Sequence, residues 1–227
     1  MVAKHRRGWL GEGMGKATRA FRNLTLLTIG AAATAAVLGA VRSWSLRWGT
    51  DPLEEGGYLP GDELMAYADH QSTRAVTIRT SPARIWPWLV QLGQDRGGFY
   101  SYDWLENLIG LDIHSLDEIS DELQHLEVGD HVSLADGVTL AVADLESDSH
   151  LVLHGVADSG RPALPFDFTW SFILRRSAPA RTRLIVRERY RYLGPLAPVI
   201  VEPASLVSFV MSRKMLIGIK ERAEALD

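Results

Sequence analysis

The chain has 227 residues, 46% of them hydrophobic and 23% charged. That suffices for one well-buried domain plus an appendage and excludes a disordered, collagen-like or coiled-coil protein. It contains no cysteine, which excludes disulfides, cysteine-held zinc or iron–sulfur centres and thiol nucleophiles. The net charge of −4 hides a split: residues 1–47 carry eight Lys or Arg against Glu12 alone, and the remainder carries 16 basic against 27 acidic side chains. An acidic body is a poor binder of nucleic acid, whose phosphates need clustered cations, whereas the basic head suits a lipid surface.

From Leu24 to Val41 there are 18 residues without a charge. A helix here spans about 27 Å, close to the ~30 Å hydrocarbon thickness of a bilayer. Phe21 precedes it, and Trp44 and Trp48 follow, as interfacial aromatics would. The segment reads as a single transmembrane helix. Six basic residues before it and two just after place the N-terminus in the cytoplasm and the C-terminal domain outside. A cleaved leader, with Ala-x-Ala triplets at 31–33 and 33–35, and a buried helix of a soluble protein are the competing readings. Ala31, Ala35 and Gly39 form a small-residue stripe through which two copies would pair as a homodimer, although an Ala-rich composition is the simpler explanation of it.

Residues 1–23 are thus a basic segment, 24–41 the membrane helix, 42–71 a Gly-, Pro- and acid-rich linker or surface arm, and 72–227 the folded domain. The domain opens with a strand over Thr73–Arg79, where Val76 and Ile78 alternate with polar neighbours. Ser81 then caps a helix with Pro82 at its first position, and Pro87 should kink it. A short helix over Tyr102–Ile109 follows, closed by Gly110. Five β-type runs come next, at His131–Leu134, Val138–Leu145, His150–Val156, Phe166–Leu174 and Arg183–Tyr192. Their short connections predict an antiparallel meander, since parallel neighbours need crossovers. A final helix is expected from Pro203 to about Leu226. Leu206, Val210 and Ile217 on one side of it, with Val207, Met211 and Met215 beside them, make an apolar arc wide enough to need a concave surface.

The segments TRAVTIRTSPARIWPWLVQLGQ, GQDRGGFYSYDWLENLIGLDIHS and FVMSRKMLIGIKERAE, with this element order, resemble the START-like superfamily, also called SRPBCC. The last two are similar to a membrane-associated bacterial subgroup of it. The resemblance covers about residues 72–226 and implies an α+β helix-grip fold, a curved antiparallel sheet around a long C-terminal helix with a cavity between them. Superfamily members use that cavity for sterols, phospholipids, polyketides or hormones, and some cyclise or dehydrate what they bind. Fold alone does not choose among these.

Strand parity puts Phe168, Trp170, Phe172 and Leu174 on one face. In the last strand, Leu184, Val186, Glu188, Tyr190 and Tyr192 share one parity, and Ile185, Arg187, Arg189 and Arg191 the other. The reading adopted has the first set inward and the arginines solvated. Inward arginines would instead hold an anionic head group or a developing enolate. The expected ligand wall is Trp88, Phe99, Tyr100, Tyr102, Trp104, Trp170, Phe172, Tyr190, Met211 and Met215. Tyr100, Asp103, Glu106 and His114 are the acid–base candidates, although acids in the first turn of a short helix also simply favour its dipole. No HExxH-type spacing, P-loop lysine or nucleophile elbow is present, so no metal or other cofactor is expected.

Function is accordingly expected as a membrane-anchored domain that binds a hydrophobic or amphipathic small molecule, lipid or polyketide-like. The alternative is a cyclase, aromatase or dehydratase working by general acid–base catalysis. An interaction module whose cavity is filled by its own side chains is a third possibility.

Overall fold

The computed structural model describes residues 7–108, 110–135, 137–155 and 165–225, with the side chains of 7–25 left undescribed. It divides into two compact units, one ending at Trp44 and the other beginning at Ser45. The first consists of most of helix α1 (Arg7–Leu46). Leu26–Leu46 is long and apolar enough to cross a membrane, and Leu26, Leu27, Ile29, Val37 and Leu38 are exposed along it.

The second unit contains α2 (Pro52–Gly56), β1 (His70–Ile78), α3 (Pro82–Val90), α4 (Asp103–Leu108), β2 (His131–Ala135), β3 (Val138–Glu146), β4 (His150–Gly155), β5 (Phe166–Ala178), β6 (Arg181–Tyr192) and α5 (Ala197–Ala225). The strands form one antiparallel sheet in the order β1-β6-β5-β4-β3-β2, the expected meander with the first strand added beside the last. Side chains of the edge strand β2 and of β5, β6 and α5 bound one cavity, so the sheet curves around the helix. This is the helix-grip α+β architecture.

Two local features differ from the sequence reading. Helix α5 begins six residues before Pro203, which lies inside it, on its exposed face. The wide apolar arc is only half enclosed: Met215 and Leu216 are buried, but Leu206, Val207 and Val210 face outward. Gly218 lets α5 close on the loop after α3, since a Cβ there would collide with the Tyr100 carbonyl.

The arm at 49–69 packs on the outer face of the sheet. Asp51 caps α2 through a capping box, its Oδ1 accepting from the Leu53 and Glu54 amides at 2.8 Å while Glu54 Oε2 accepts from the Asp51 amide at 3.0 Å. Arg187 is not solvated. It is 2% exposed and donates to Asp62 Oδ2 at 2.6 Å and to the Gly57, Glu54 and Glu55 carbonyls at 2.8–2.9 Å. Arg183 grips the Glu54 carboxylate at 2.6 and 2.8 Å, and Arg189 reaches Asp62 at 3.0–3.1 Å. Strand parity set these arginines on the outer face, and the arm then seals them from water. Gly61, at φ +94°, passes so close to Ser171 and Val152 that a Cβ would not fit.

Candidate functional site

Between α5 and the concave face of the sheet lies a cavity of about 540 Å³. Phe168 and Trp170 of β5, Glu188 and Tyr190 of β6 and Leu134 of β2 form its floor. Val207, Ser208, Met211, Ser212 and Met215 of α5 form the opposite wall. Phe99, Ser101, Leu105 and Glu106, with Leu111 and Ile113 of the following loop, close the side.

Six polar or ionisable residues lie along this wall, yet the surface they leave to the cavity is overwhelmingly apolar. Half of them, Glu188, Ser208 and Ser212, pair with one another. Glu188 is 3% exposed and accepts from Arg74 Nη1 at 3.0 Å, Ser72 Oγ at 3.3 Å, Ser208 Oγ at 2.6 and 2.8 Å and Ser212 Oγ at 2.8 Å. Burial alone would raise its carboxyl, but the Arg74 guanidinium and the three hydroxyls outweigh burial and hold it below the usual carboxylate range. Arg74 in turn donates from Nε to the Ser45 carbonyl at 3.0 Å. A buried charge is tolerated here because its lone pairs are satisfied. Burial and, secondarily, the Glu188 charge push the Tyr190 phenol well above its ordinary range.

Glu106 differs. It is 5% exposed, Oε2 has no hydrogen-bond partner, and burial followed by the Asp103 charge pushes its carboxyl up to about 7. At neutral pH a large fraction of Glu106 is therefore protonated and uncharged.

Of the expected ligand-wall residues, the structure brings Phe99, Trp170, Tyr190, Met211 and Met215 to the cavity, and Glu106 of the acid–base candidates joins them. The others are elsewhere. Trp88 is 1% exposed in the core, edge-on to Tyr100 with ring centroids 5.6 Å apart. Tyr100, at φ 55°, is buried in the core and does not line the cavity, and its hydroxyl donates to the Trp88 carbonyl at 3.2 Å. Phe172 shares the inward parity of Trp170 but is buried beyond it, with centroids 4.7 Å apart. Tyr102 and Trp104 pair edge-on outside the cavity, Trp104 being 69% exposed. Asp103 pins the next loop by accepting from the Ser115 amide and hydroxyl, both at 2.7 Å. His114 points outward and meets Asp112 at 3.2 Å. Among the described residues no cluster of His, Cys, Asp or Glu could hold a metal ion.

The serines were missed in the sequence, though they carry a signal. Ser205, Ser208 and Ser212 lie at helical spacing on one side of α5; Ser208 and Ser212 donate to Glu188, and Ser205 donates back to the Glu202 carbonyl at 2.7 Å.

No family model matches this sequence, and no curated protein is similar to it. Solved structures are similar at low identity. Ara h 8.0201 is 15% identical, with 69% of this chain and 98% of that one covered and a TM-score of 0.44. A hypothetical protein from Helicobacter pylori is 12% identical, with 73% and 95% covered and a TM-score of 0.45. The di-domain ARO/CYC BexL from the BE-7585A biosynthetic pathway is 11% identical, with 68% of this chain and 46% of that one covered and a TM-score of 0.40.

Proposed function

We propose that this protein is a membrane-tethered binding domain, of the membrane-associated helix-grip type, that holds one hydrophobic small molecule between α5 and the sheet. The observation that carries the reading is the cavity itself, about 540 Å³ with an apolar surface beside which Glu188 is paired with Arg74, Ser208 and Ser212. At the ~30 Å³ a water molecule occupies, such a volume takes on the order of 18 non-hydrogen atoms. That suits a fused-ring or single-chain molecule and falls well short of a diacyl phospholipid. Leu26–Leu46 supplies the tether, with the N-terminus in the cytoplasm, and holding the domain beside a membrane-dissolved ligand raises the effective concentration. No nucleic acid or cofactor enters this reading.

A second reading, acid–base catalysis on a polyketide-like substrate, is favoured by one observation, the buried Glu106 carboxyl at the cavity wall, whose Oε2 has no hydrogen-bond partner and whose pKa burial raises to about 7. Mass spectrometry of the full-length protein purified in mild detergent tests the first. A single hydrophobic species released on denaturation supports it, and its absence even after incubation with membrane extract counts against it. Turnover of that species, abolished in Glu106→Gln, would favour the second.

A further inference from the structure

The first half of α5 turns an apolar face outward. Val199, Ile200, Leu206, Val207 and Val210 are 46–69% exposed and, at ~100° per residue, fall within an arc of roughly 120°. Ala197, Val201, Ser205 and Ser212 on the opposite side are buried against the sheet. Between Arg191 and Arg213 the only charged residue is Glu202, and it is drawn back towards the sheet, accepting from the Tyr192 hydroxyl at 3.3 Å and lying 3.7 Å from His70. The stripe then ends at the basic pair Arg213 and Lys214. Across the cavity, α4 repeats the pattern. Leu105 and Glu106 line the wall, whereas Trp104 and Leu108 are 69% and 74% exposed. Val207 is at once cavity wall and 60% exposed, so the apolar surface is continuous with the cavity mouth.

We infer that this surface, the outer face of α5 between Val199 and Val210 together with Trp104 and Leu108, docks on a lipid bilayer and sets the cavity mouth against the acyl region. A contiguous exposed apolar patch of this size calls for a partner. Its chemistry fits lipid: an uncharged stripe, a tryptophan at its border and cations where it stops are the marks of a helix lying in the membrane interface. The same chain carries a segment able to cross a bilayer, which makes lipid the partner always at hand. A ligand dissolved in the membrane would then pass into the cavity without crossing water. The docking rests on the tethering half of the proposed function, and only this last consequence rests on the ligand-binding half.

The absence of native cysteine allows a direct test. Val199→Cys, Leu206→Cys and Leu108→Cys, with Glu146→Cys on the far hairpin as reference, are labelled with an environment-sensitive fluorophore. Each full-length variant is reconstituted into phosphatidylcholine vesicles containing doxyl-labelled lipid. Docking predicts quenching at the first three sites several-fold above that at Glu146, and its loss at the Val199 label when Leu206→Glu is added. Quenching equal to the reference at all three sites overturns the inference, as does cross-linking between copies through these positions without quenching. Uptake of N-phenyl-1-naphthylamine by the same variants in detergent reports the cavity separately, so quenched labels on a protein that binds no probe would leave the docking intact and remove the ligand-binding reading.

Discussion

The two faces of the sheet bury the same chemistry to opposite ends. On the concave face Arg74 and Glu188 form a pair at 3.0 Å that side-chain hydroxyls complete, and an apolar space is left beside it. On the convex face Arg183, Arg187 and Arg189 are matched by Glu54 and Asp62, but backbone carbonyls of the arm complete the network, and the hollow of about 450 Å³ beside it is lined by polar groups, among them Glu55, Asp62, Glu63, Arg187 and Arg189. Burial of charge thus locks a segment in place on one side, and on the other keeps Glu188 and its hydroxyl partners paired beside an apolar space. The difference lies in what is left facing the hollow on each side: apolar side chains beside the hydroxyl-completed pair, and carboxylates and guanidinium groups beneath the strap of main chain.

The largest effect should come from breaking either network. Arg74→Met leaves the Glu188 carboxylate buried without its cation and should cost about 3–5 kcal/mol in chemical unfolding, while Arg74→Met/Glu188→Leu should recover most of that. Arg187→Met should cost a similar amount but act elsewhere, releasing the arm to proteolysis between Thr50 and Leu64 while the cavity still takes up its probe. If Arg187→Met emptied the cavity as thoroughly as Arg74→Met, the two faces would not be separable.

A smaller effect separates the two buried carboxylates of the concave side by pH. Glu106 has a raised folded-state pKa of about 7, so its contribution is complete below the ordinary carboxylate range and is lost as pH rises through about 7. Glu188 is depressed, so its contribution is present above the ordinary range and is lost in acid. Glu106→Gln should therefore remove about 2 kcal/mol of pH dependence between pH 4.5 and 7.5 and leave the acid limb unchanged. The smallest effect is expected at His114, where replacement by Ala should alter stability by less than about 0.5 kcal/mol and leave probe binding untouched, because the imidazole is exposed and off the cavity.

Much of this architecture could be read from residue order. Alternation along Phe166–Leu174 and Arg183–Tyr192 placed Phe168, Trp170, Glu188 and Tyr190 on the concave side, because a strand has only two faces. Helical spacing likewise brought Met211 and Met215 to the wall. The failures have a common cause in contacts between distant residues. Tyr100 and Trp88 looked like wall aromatics, but the glycine of α5 packs on Tyr100 and both lie in the core. The sequence left 42–71 as a linker or a surface arm without choosing, because the partners of its residues, Arg183 and Arg187, lie some 130 residues on, and no local pattern announces an ion pair of that range. Pro203 suggested a helix start, yet on the exposed side of α5 its ring meets solvent rather than the sheet.

The cavity's capacity for a single apolar guest is tested most directly by titrating the full-length protein in detergent with N-phenyl-1-naphthylamine, against a Met211→Trp/Leu111→Trp variant that fills the space from two sides. The account predicts saturation at one probe per wild-type chain and no saturable binding to the variant, with unfolding midpoints within a few degrees of each other. Equal binding by both proteins would place the probe elsewhere and contradict it.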